Sequence, residues 1–450
     1  MTGDSTNNYA EREAVLPPGV HELARRLGRD DGALPAYIYD LDGLAAHVAR
    51  IRAAIPAGVE LYYAVKANPD PRVLRTVAGR ADGFEVSSGG ELRHAAAAVP
   101  GCGLAFGGPG KTSAELAAAL RRGTARFHVE SPHELRLLAA AARAERRDAD
   151  VLLRVNLPGP AAAAALAGGF GGSSPQAGTA GATADAAQGA VTPCPGGGLV
   201  MGGQATPFGM DPILLDSCTG LLAGLAAEPS GAGRIRLRGL HAHLASGLDA
   251  PALLGASARV AGFARDWCAR HGVNRPEINL GGGMAVDYRR PGSVFDWEGY
   301  GRGLGALARP GETLRIEPGR AVTAYCGWYV TRVLDVKRSH GEMFCLVAGG
   351  THHLRTPAAK GHDQPFAVIT VTEWPPGLPR PGMASEHVTI AGQLCTPKDI
   401  LARRAFAVRL RAGDLVAFGM AGAYGWNISH RDFLMHPPPG FHYVGGRAGG

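Results

Sequence analysis

Eight short apolar segments, each followed by an alanine- or leucine-rich stretch of helical type, recur between residues 61 and 316. They begin at Leu61, Gly83, Leu104, Arg126, Val151, Leu237, Glu277 and Leu314. Apolar strands that alternate with helices are typical of a parallel sheet, and eight such units are what a (β/α)8 barrel requires. The sequence therefore predicts an α/β fold built on a TIM barrel. A doubly wound open sheet stays open as the alternative, because periodicity alone does not separate the two.

The pattern changes after Arg320, where short β-like runs separated by glycine and proline turns replace the alternation. These runs lie at 325–333, 343–347, 366–371, 387–390 and 415–418. They predict a C-terminal β domain, and the chain of 450 residues is long enough for two cores. We expect residues 43–322 to form the barrel and 323–450 the β domain. Residues 1–42, with the strand-like Ala36–Asp40, are expected to contribute to the β domain.

Residues 158–203 of the predicted barrel are rich in alanine, glycine, serine and threonine and have few large apolar side chains. Such a segment cannot bury enough apolar surface to offset its ordering entropy. We expect a disordered insertion in the fifth strand-to-helix connection, on the face where barrel active sites form. It is interpreted either as solvated filler or as a lid.

The charge of the chain argues against polyanionic partners. The formal net charge of +7 is small for 450 residues, and the basic residues are scattered rather than gathered in runs. No apolar run reaches the roughly 18 residues of a membrane span. The seven cysteines form no C-x-x-C pair and no compact disulfide pattern. We therefore expect no nucleic-acid or membrane partner, free thiols and a cytoplasmic location.

One of only five lysines, Lys66, directly follows the first predicted barrel strand. Burial at such a position lowers the pKa of an ammonium group and makes the amine a nucleophile toward an aldehyde. A structural lysine in an ion pair is an equally simple interpretation.

Glycine and charged residues follow the last two barrel strands. Gly281, Gly282 and Gly283 come after the seventh strand, and Glu317 and Arg320 after the eighth. The bare N–H groups of a glycine loop can bind phosphate, and the charged pair suits an aromatic nitrogen and a phosphate. A tight turn and a structural ion pair are the alternative interpretations.

Two alternating histidines, His241 and His243, end the sixth predicted strand. Successive side chains of a strand point to opposite faces, so one of these rings can face the barrel mouth. A metal site needs further ligands that the local spacing does not supply. We therefore predict no metal.

Six ordered motifs of the chain resemble the fold-type III pyridoxal 5′-phosphate (PLP) dependent decarboxylases, which include ornithine, arginine and diaminopimelate decarboxylases. The motifs are Tyr63-Ala-Val-Lys-Ala-Asn-Pro69, His241-Ala-His-Leu-Ala-Ser246, Asn279-Leu-Gly-Gly-Gly283, Glu317-Pro-Gly-Arg320, Gly392-Gln-Leu-Cys-Thr396 and Gly422-Ala-Tyr424. The similarity spans about residues 36–439, apart from the low-complexity segment. The resemblance implies a PLP decarboxylase with an alanine-racemase-like barrel and a C-terminal β domain.

The resemblance also implies a role for each motif. Lys66 carries the cofactor covalently, His243 stacks on its pyridine ring, and Glu317 bonds the ring nitrogen. A carboxylate there keeps the nitrogen protonated, so the ring can accept the electrons released with CO₂, whereas an alanine racemase places an arginine at this position. The other cofactor-binding residues implied are Glu85 and Arg154 in the pocket and Ser246, Gly281, Gly282, Gly283, Arg320 and Tyr424 at the phosphate.

Cys395 matches the cysteine that family members contribute to the site across a dimer interface, near the Cα that must be reprotonated. The resemblance therefore implies a head-to-tail homodimer with two shared sites. It makes Cys395 the second catalytic residue beside Lys66. Without the surrounding motif, an inert buried thiol would be the simpler interpretation.

The residue after Cys395 bears on the substrate. Ornithine and diaminopimelate enzymes have an acidic residue there for the distal amine, whereas this chain has Thr396, and Asp399 is near enough in sequence to substitute. Residues 349–357 and 421–437 resemble the subgroup that decarboxylates a citryl-diaminopropionate-type intermediate in siderophore biosynthesis. Imidazolium and guanidinium groups bind carboxylates. The candidate substrate-binding residues are His352, His353, Arg355, Thr396, His430 and Arg431.

Three other functions stay open. A diaminopimelate decarboxylase of lysine biosynthesis is the main enzymatic alternative. A catalytically silent homologue that regulates an active decarboxylase would be expected to lose Lys66 or Cys395, and both are present. A metal-dependent barrel hydrolase would need more than one histidine pair.

Overall fold

The structure is a computed structural model that describes residues 16–30, 32–158, 199–200, 202–227 and 232–446. Most of the predicted insertion at 158–203 lies outside these residues, and so does Cys194. The predicted disorder and the lid interpretation of that segment therefore stay predictions.

The strands are numbered here in chain order. They are β1 Ala36–Asp40, β2 Val59–Ala64, β3 Gly83–Val86, β4 Leu104–Phe106, β5 Arg126–Val129, β6 Ala149–Arg154, β7 Leu199–Val200, β8 Ile235–His241, β9 Ala245–Ser246, β10 Glu277–Asn279, β11 Thr313–Ile316, β12 Gly327–Ser339, β13 Glu342–Val347, β14 Phe366–Ile369, β15 Gly382–Ala391, β16 Ile400–Arg411, β17 Leu415–Phe418 and β18 Gly440–Val444.

Eight parallel strands close a barrel in the order β10-β11-β2-β3-β4-β5-β6-β8. In β6, Val151, Leu152 and Leu153 are all fully buried. A parallel strand that is covered on both faces reads as a continuous apolar run, which explains the signal in the sequence. These eight strands are the predicted ones, so the barrel is confirmed and the open-sheet alternative is wrong.

A helix follows each barrel strand. The α-helices within the described residues are Pro18–Leu27, Leu41–Ala54, Pro71–Ala78, Gly89–Ala98, Ser113–Arg121, Pro132–Glu145, Pro212–Ala227, Ala250–Arg270, Trp297–Leu307, Arg320–Thr323 and Thr356–Lys360. Side chains at helix starts account for several boundaries, because Ser88, Thr112 and Ser131 each accept a hydrogen bond from the N–H group three residues later. None of the helices in the described ranges is long and apolar enough to cross a membrane.

The remaining large sheet has the strand order β14-β17-β12-β13-β15-β16, with β1 and β18 attached. β1 pairs antiparallel with β12 and parallel with β18, so Ala36 lies opposite both Val330 and Gly440. The chain thus enters this sheet before it forms the barrel. β12 to β15 and β17 coincide with the predicted β-like runs. The residue limits of the two domains stay predictions.

The sequence missed two strands of this sheet for identifiable reasons. β16 contains Arg403, Arg404, Arg409 and Arg411, and most of these side chains are exposed. A half-exposed strand with so many charges has no continuous apolar run. β18 has only five residues and directly follows three prolines.

Candidate active site

Lys66 lies just beyond the carboxyl end of β2, in the 3-10 turn Val65–Ala67. Its Nζ atom donates a hydrogen bond to Glu85 Oε2 at 2.5 Å, and Ser87 Oγ donates to Glu85 Oε1 at 2.9 Å. The Lys66 side chain is 46% exposed, whereas that of Glu85 is 6% exposed. The amine is therefore accessible at the catalytic end of the barrel, above a buried carboxylate.

The environment of Lys66 shifts its pKa in the direction opposite to the prediction. Burial lowers the pKa of the ammonium group, but the combined interactions with Glu85, Tyr424 and Glu317 exceed this effect and raise the pKa above its ordinary value. The expectation of a lowered pKa at Lys66 is therefore wrong, and the ion-paired lysine is what the structure shows. The amine must lose this ion pair before it can attack an aldehyde.

Lys111, the other barrel lysine, is held very differently. Its Nζ atom donates to Glu134 Oε1 at 2.6 Å, to the Gly108 carbonyl oxygen at 2.7 Å and to the His128 carbonyl oxygen at 2.8 Å. All three ammonium hydrogens have acceptors, and the side chain is 1% exposed. Of these two lysines, only Lys66 is accessible for covalent chemistry.

Glu317 directly follows β11 and is buried. Asn279 Nδ2 at the end of β10 donates to Glu317 Oε1 at 2.6 Å. Burial, followed by repulsion from the Glu85 carboxylate, raises the pKa of Glu317 to about 7. A carboxyl group with this pKa can hold or release a proton near neutral pH.

Two buried histidines flank Glu317. His241 Nε2 lies 3.5 Å from Glu317 Oε2, and His128 Nε2 lies 3.7 Å from Glu317 Oε1. Burial lowers the pKa of both imidazoles well below the usual range, so both are neutral. The three groups lie close enough together to hold a metal ion, so the fold brings together candidate ligands that the local spacing around His241 does not supply. The prediction of no metal stays a prediction.

The glycine loop packs closely against neighbouring backbone. Gly281 and Gly283 have φ angles of +70° and +112°, which glycine adopts readily. The Gly281 N–H donates to Asn279 Oδ1 at 2.9 Å, and the Gly282 N–H donates to His243 Nδ1 at 3.0 Å. This corrects the expectation that all three N–H groups are free for a phosphate. The Gly283 N–H alone has no acceptor among the described residues.

The predicted phosphate-binding side chains come from both domains. Arg320 Nη1 donates to Tyr288 Oη at 2.9 Å, and the Arg320 guanidinium lies 4.4 Å from the centre of the Tyr424 ring. The Tyr424 N–H donates to the Ala67 carbonyl oxygen at 2.8 Å, which ties the C-terminal domain to the turn that carries Lys66. Ser246 lies in β9, which pairs with β7.

Arg154 ends β6 in a buried wall of the barrel mouth. Its Nη1 atom donates to Glu130 Oε1 at 2.8 Å, and the Gly209 N–H donates to Glu130 Oε2 at 3.0 Å. The guanidinium also lies 5.1 Å from the centre of the Phe208 ring. Glu130 therefore orients Arg154.

Cys395 is exposed on the loop 392–399 between β15 and β16. Asp399 fixes this loop, because its Oδ1 atom accepts from the Thr351 N–H at 2.6 Å and from Thr351 Oγ1 at 2.7 Å. Its Oδ2 atom accepts from the Leu394 N–H at 2.8 Å, and the side chain is buried. Asp399 thus has a structural role, and the hypothesis that it replaces a distal-amine anchor is wrong.

The histidine pair of the C-terminal domain differs from the prediction. His353 Nε2 donates to the Pro437 carbonyl oxygen at 3.0 Å, and His353 Nδ1 lies 3.0 Å from Tyr329 Oη. Burial lowers the pKa of His352 to about 4 and that of His353 to about 3. Both rings are buried and neutral, so the expectation that they bind a substrate carboxylate as imidazolium groups is wrong.

The other candidate substrate-binding residues are accessible: Arg355, His430 and Arg431 are exposed, and Thr396 is half-buried. The Arg431 guanidinium lies 5.2 Å from the centre of the Trp426 ring. The neighbouring Asn427 Nδ2 donates to the Lys66 carbonyl oxygen at 2.7 Å. This segment therefore adjoins the turn that carries Lys66.

Residues 36–422 match the family model described as "Pyridoxal-dependent decarboxylase, C-terminal sheet domain". The chain belongs to the ornithine/diaminopimelate/arginine decarboxylase family. It is therefore a PLP-dependent decarboxylase, and the predicted cofactor and enzyme class are confirmed.

The names of relatives in this family indicate different amino-acid substrates. The 2-((L-alanin-3-ylcarbamoyl)methyl)-2-hydroxybutanedioate decarboxylase of Staphylococcus aureus is 35% identical over 413 residues, which cover 91% of this chain and 93% of the relative. The diaminopimelate decarboxylase of Deinococcus radiodurans is 30% identical over 422 residues, which cover 93% of this chain and 91% of the relative. The crystal structure of diaminopimelate decarboxylase from Helicobacter pylori complexed with L-lysine has a TM-score of 0.73, with 22% identity and 94% of both chains covered. This last likeness shows the shared fold.

The side chains of this decarboxylase fit PLP by their chemistry. PLP offers an aldehyde, a ring nitrogen and a phosphate. The strand ends present an accessible amine at Lys66, a buried carboxylate at Glu317 and a guanidinium at Arg320. Charge and hydrogen-bonding type match at each of the three positions.

Sequence reasoning gave no role to several residues of this decarboxylase: Asn279, His128, Glu130 and Tyr288. Asn279 stood within a diagnostic motif, and its amide now accounts for the position of Glu317. His128 and Glu130 lie at the end of the barrel strand β5, and this position was the feature of the sequence that could have identified them. Their partners lie far away along the chain, so local spacing could not find them.

Proposed function

We propose that this decarboxylase acts on an amino acid whose side chain ends in a citrate-derived, anionic group, as in the name of the Staphylococcus aureus relative. The observation that carries the proposal is the loop 392–399. Thr396 follows Cys395, and Asp399, the only carboxylate of the loop, is buried and accepts three hydrogen bonds. A substrate with a distal ammonium group, such as diaminopimelate, finds no free carboxylate on this loop.

The anionic part of such a substrate suits the exposed basic residues of the C-terminal domain. The name of the relative describes a butanedioate, which carries two carboxylates. Arg355, His430 and Arg431 are exposed on the C-terminal domain. Guanidinium groups form paired, charge-assisted hydrogen bonds to carboxylates, so the two arginines are the stronger candidates.

The proposed roles of the barrel residues follow from their positions. Lys66 holds the cofactor, Glu317 bonds its ring nitrogen, and the neutral ring of His243 stacks on it. Bound PLP supplies a ring that accepts the electron pair released when CO₂ leaves. Glu317 keeps a proton at the nitrogen, and Asn279 orients its carboxylate. Ser246, Gly283, Arg320 and Tyr424 hold the phosphate, while Glu85 and Arg154 line the pocket.

We also propose a homodimer in which the partner subunit's Cys395 delivers the proton to the substrate Cα. Cys395 is exposed, as a residue that acts in another subunit must be. Exposed apolar side chains lie on the segment 428–435, which follows Asn427, and Phe433 is 46% and Met435 is 82% exposed. A second copy that covers this segment would bury these side chains.

Two further expectations belong to this proposal. The proposed domain limits are 43–322 and 323–450, which place the boundary between β11 and β12. The proposed location is the cytoplasm, because Cys102, Cys218, Cys268, Cys326, Cys345 and Cys395 are all free thiols.

The substrate is tested by CO₂ release from the PLP-loaded enzyme with citryl-diaminopropionate, meso-diaminopimelate, ornithine and lysine. We expect the highest kcat/KM for the citryl compound. A preference for meso-diaminopimelate would overturn the substrate assignment and leave the fold and the cofactor intact. Binding of PLP without release from any substrate would favour the silent regulatory homologue. Lys66→Ala is the matched negative control.

A further inference from the structure

Asn279 gives the Glu317 carboxylate a defined orientation. Its Oδ1 atom accepts from the Gly281 N–H, which points Nδ2 toward Glu317 Oε1 at 2.6 Å and His128 Nε2 at 3.3 Å. An amide nitrogen only donates, so His128 Nε2 is the acceptor and the proton of the neutral ring is on Nδ1. One oxygen of Glu317 is thus held by an amide that His128 helps to fix.

The other carboxylate oxygen, Glu317 Oε2, faces His241. The two ring nitrogens of His241 have no hydrogen-bond partner among the described residues, although the residue is only 4% exposed. An unpaired buried polar group destabilises the folded state. The ring of His241 stacks on that of His128 with centroids 4.2 Å apart. A small approach from the present 3.5 Å would bring His241 Nε2 within hydrogen-bond reach of Glu317 Oε2.

The charges around this pair favour neutral rings. The charged and titratable groups that act on the two histidines and on Glu317 are Lys66, Glu85, Lys111, Arg154, His243 and Arg315. Most of them are cations, which oppose a second positive charge on an imidazole in a buried site. A neutral His241 can therefore donate one hydrogen bond without contributing a charge.

We propose that His241, stacked on His128, is a positioning residue that donates a hydrogen bond to Glu317 Oε2 and so controls how a proton is shared between Glu317 and the PLP ring nitrogen. The inference rests on the proposed contact between Glu317 and that nitrogen. Without this donor the carboxylate becomes more basic and keeps more of the proton. The ring then accepts electrons less readily, and decarboxylation slows.

The test uses the full-length holoenzyme loaded with PLP that is ¹⁵N-labelled at the ring nitrogen, whose chemical shift reports protonation directly. In His241→Phe we expect PLP to stay bound at Lys66, the shift to move toward the unprotonated value and kcat to fall about tenfold. His241→Gln retains a hydrogen-bond donor and should restore most of the wild-type ¹⁵N shift and of kcat. His271→Phe is the matched control, because the His271 ring also packs against an aromatic ring, that of Trp267, away from Glu317.

His128→Leu provides a second variant, since it removes the stacking partner and leaves His241 in place. In His128→Leu we expect the ¹⁵N chemical shift to move in the same direction as in His241→Phe, but by a smaller amount. An unchanged ¹⁵N shift in both His241→Phe and His128→Leu, with PLP bound, would overturn the inference and leave the proposed function standing. An unprotonated nitrogen in the wild-type enzyme would instead contradict the Glu317 contact itself.

Discussion

Lys66 interacts with two carboxyl groups, Glu85 and Glu317, that differ in ionisation. Burial alone raises the pKa of Glu85, but Lys66 and Ser87 stabilise its charged form, and the net effect lowers the pKa. Glu317 has one close donor, Asn279, and its pKa rises to about 7. The same residue type therefore serves as a fixed counter-ion in one place and as a proton-sharing group in the other.

The raised pKa of Glu317 predicts how the stability of the cofactor-free protein varies with pH. A carboxyl group whose pKa rises from 4.5 to about 7 on folding favours the folded state at low pH. This contribution disappears as the pH rises through 7. Urea unfolding measures the free energy of unfolding at pH 5 and at pH 8. Between these two pH values we expect wild type to lose roughly 1–3 kcal/mol more of this free energy than Glu317→Gln loses. Equal losses in the two proteins would refute the raised pKa.

Thr396 provides a test of substrate choice at a single position. Thr396→Glu places a carboxylate after Cys395, which should repel an anionic substrate tail and attract a distal ammonium group. We expect the ratio of kcat/KM for citryl-diaminopropionate to that for meso-diaminopimelate to fall about tenfold or more. Thr396→Gln, similar in size but neutral, is the control. An unchanged ratio would mean that this loop does not contact the substrate tail.

The positions of single residues were predicted correctly where these residues directly follow a barrel strand. Lys66 and Glu317 were found by position after a strand, and the structure places both at strand ends. His353 and Asp399 were interpreted wrongly, because their hydrogen-bond partners lie in distant segments. A side chain that is predicted from the sequence to be exposed can have all of its polar atoms in hydrogen bonds in the folded protein.

At the scale of elements, the loop 392–399 depends on one buried carboxylate. Asp399 joins it to Thr351 in the segment after β13 and accepts from Leu394 within the loop. The position of Cys395 is therefore set by contacts between two loops of the β domain. The glycine loop after β10 is held in a comparable way by Asn279.

Asp399→Asn should loosen this loop, because an amide replaces one acceptor oxygen with a donor and leaves at least one N–H unpaired. We expect a loss of about 1–3 kcal/mol in the free energy of unfolding. The rate at which a thiol reagent modifies Cys395 should also rise. Asp266→Asn, on an exposed helix surface, is the control. Unchanged Cys395 reactivity would show that other contacts fix the loop.

Elements were predictable where burial produced a continuous apolar run. Among the barrel strands, β6 belongs to this class most clearly, since helices cover the parallel sheet and Val151, Leu152 and Leu153 are fully buried. β16 and β18 do not, because the first is half-exposed and rich in arginine and the second is short. Strand pairing across the chain, such as β1 with β18, also needs the fold.

At the scale of the whole molecule, the proposed active site needs two subunits. Lys66 and Cys395 lie in different domains of one chain. The segment 428–435, which follows Asn427, exposes apolar side chains that a partner would cover.

Mixed dimers of Lys66→Ala and Cys395→Ala should test this sharing. If each site takes Lys66 from one subunit and Cys395 from the other, a mixed dimer has one intact site and one doubly altered site. A statistical mixture should therefore recover about a quarter of wild-type activity from two nearly inactive proteins. No recovery after subunit exchange, verified by native mass spectrometry, would place both residues in the same subunit's site.

The most direct test of the account is to find which lysine carries PLP. Borohydride reduction of the holoenzyme, followed by peptide mass spectrometry, fixes and locates the cofactor. We predict a single modified peptide, containing Lys66, and no modification of Lys111, whose ammonium group is buried and fully hydrogen-bonded. Modification at Lys111 or another lysine, or a Lys66→Ala protein that still releases CO₂ at the wild-type rate, would contradict the assignment.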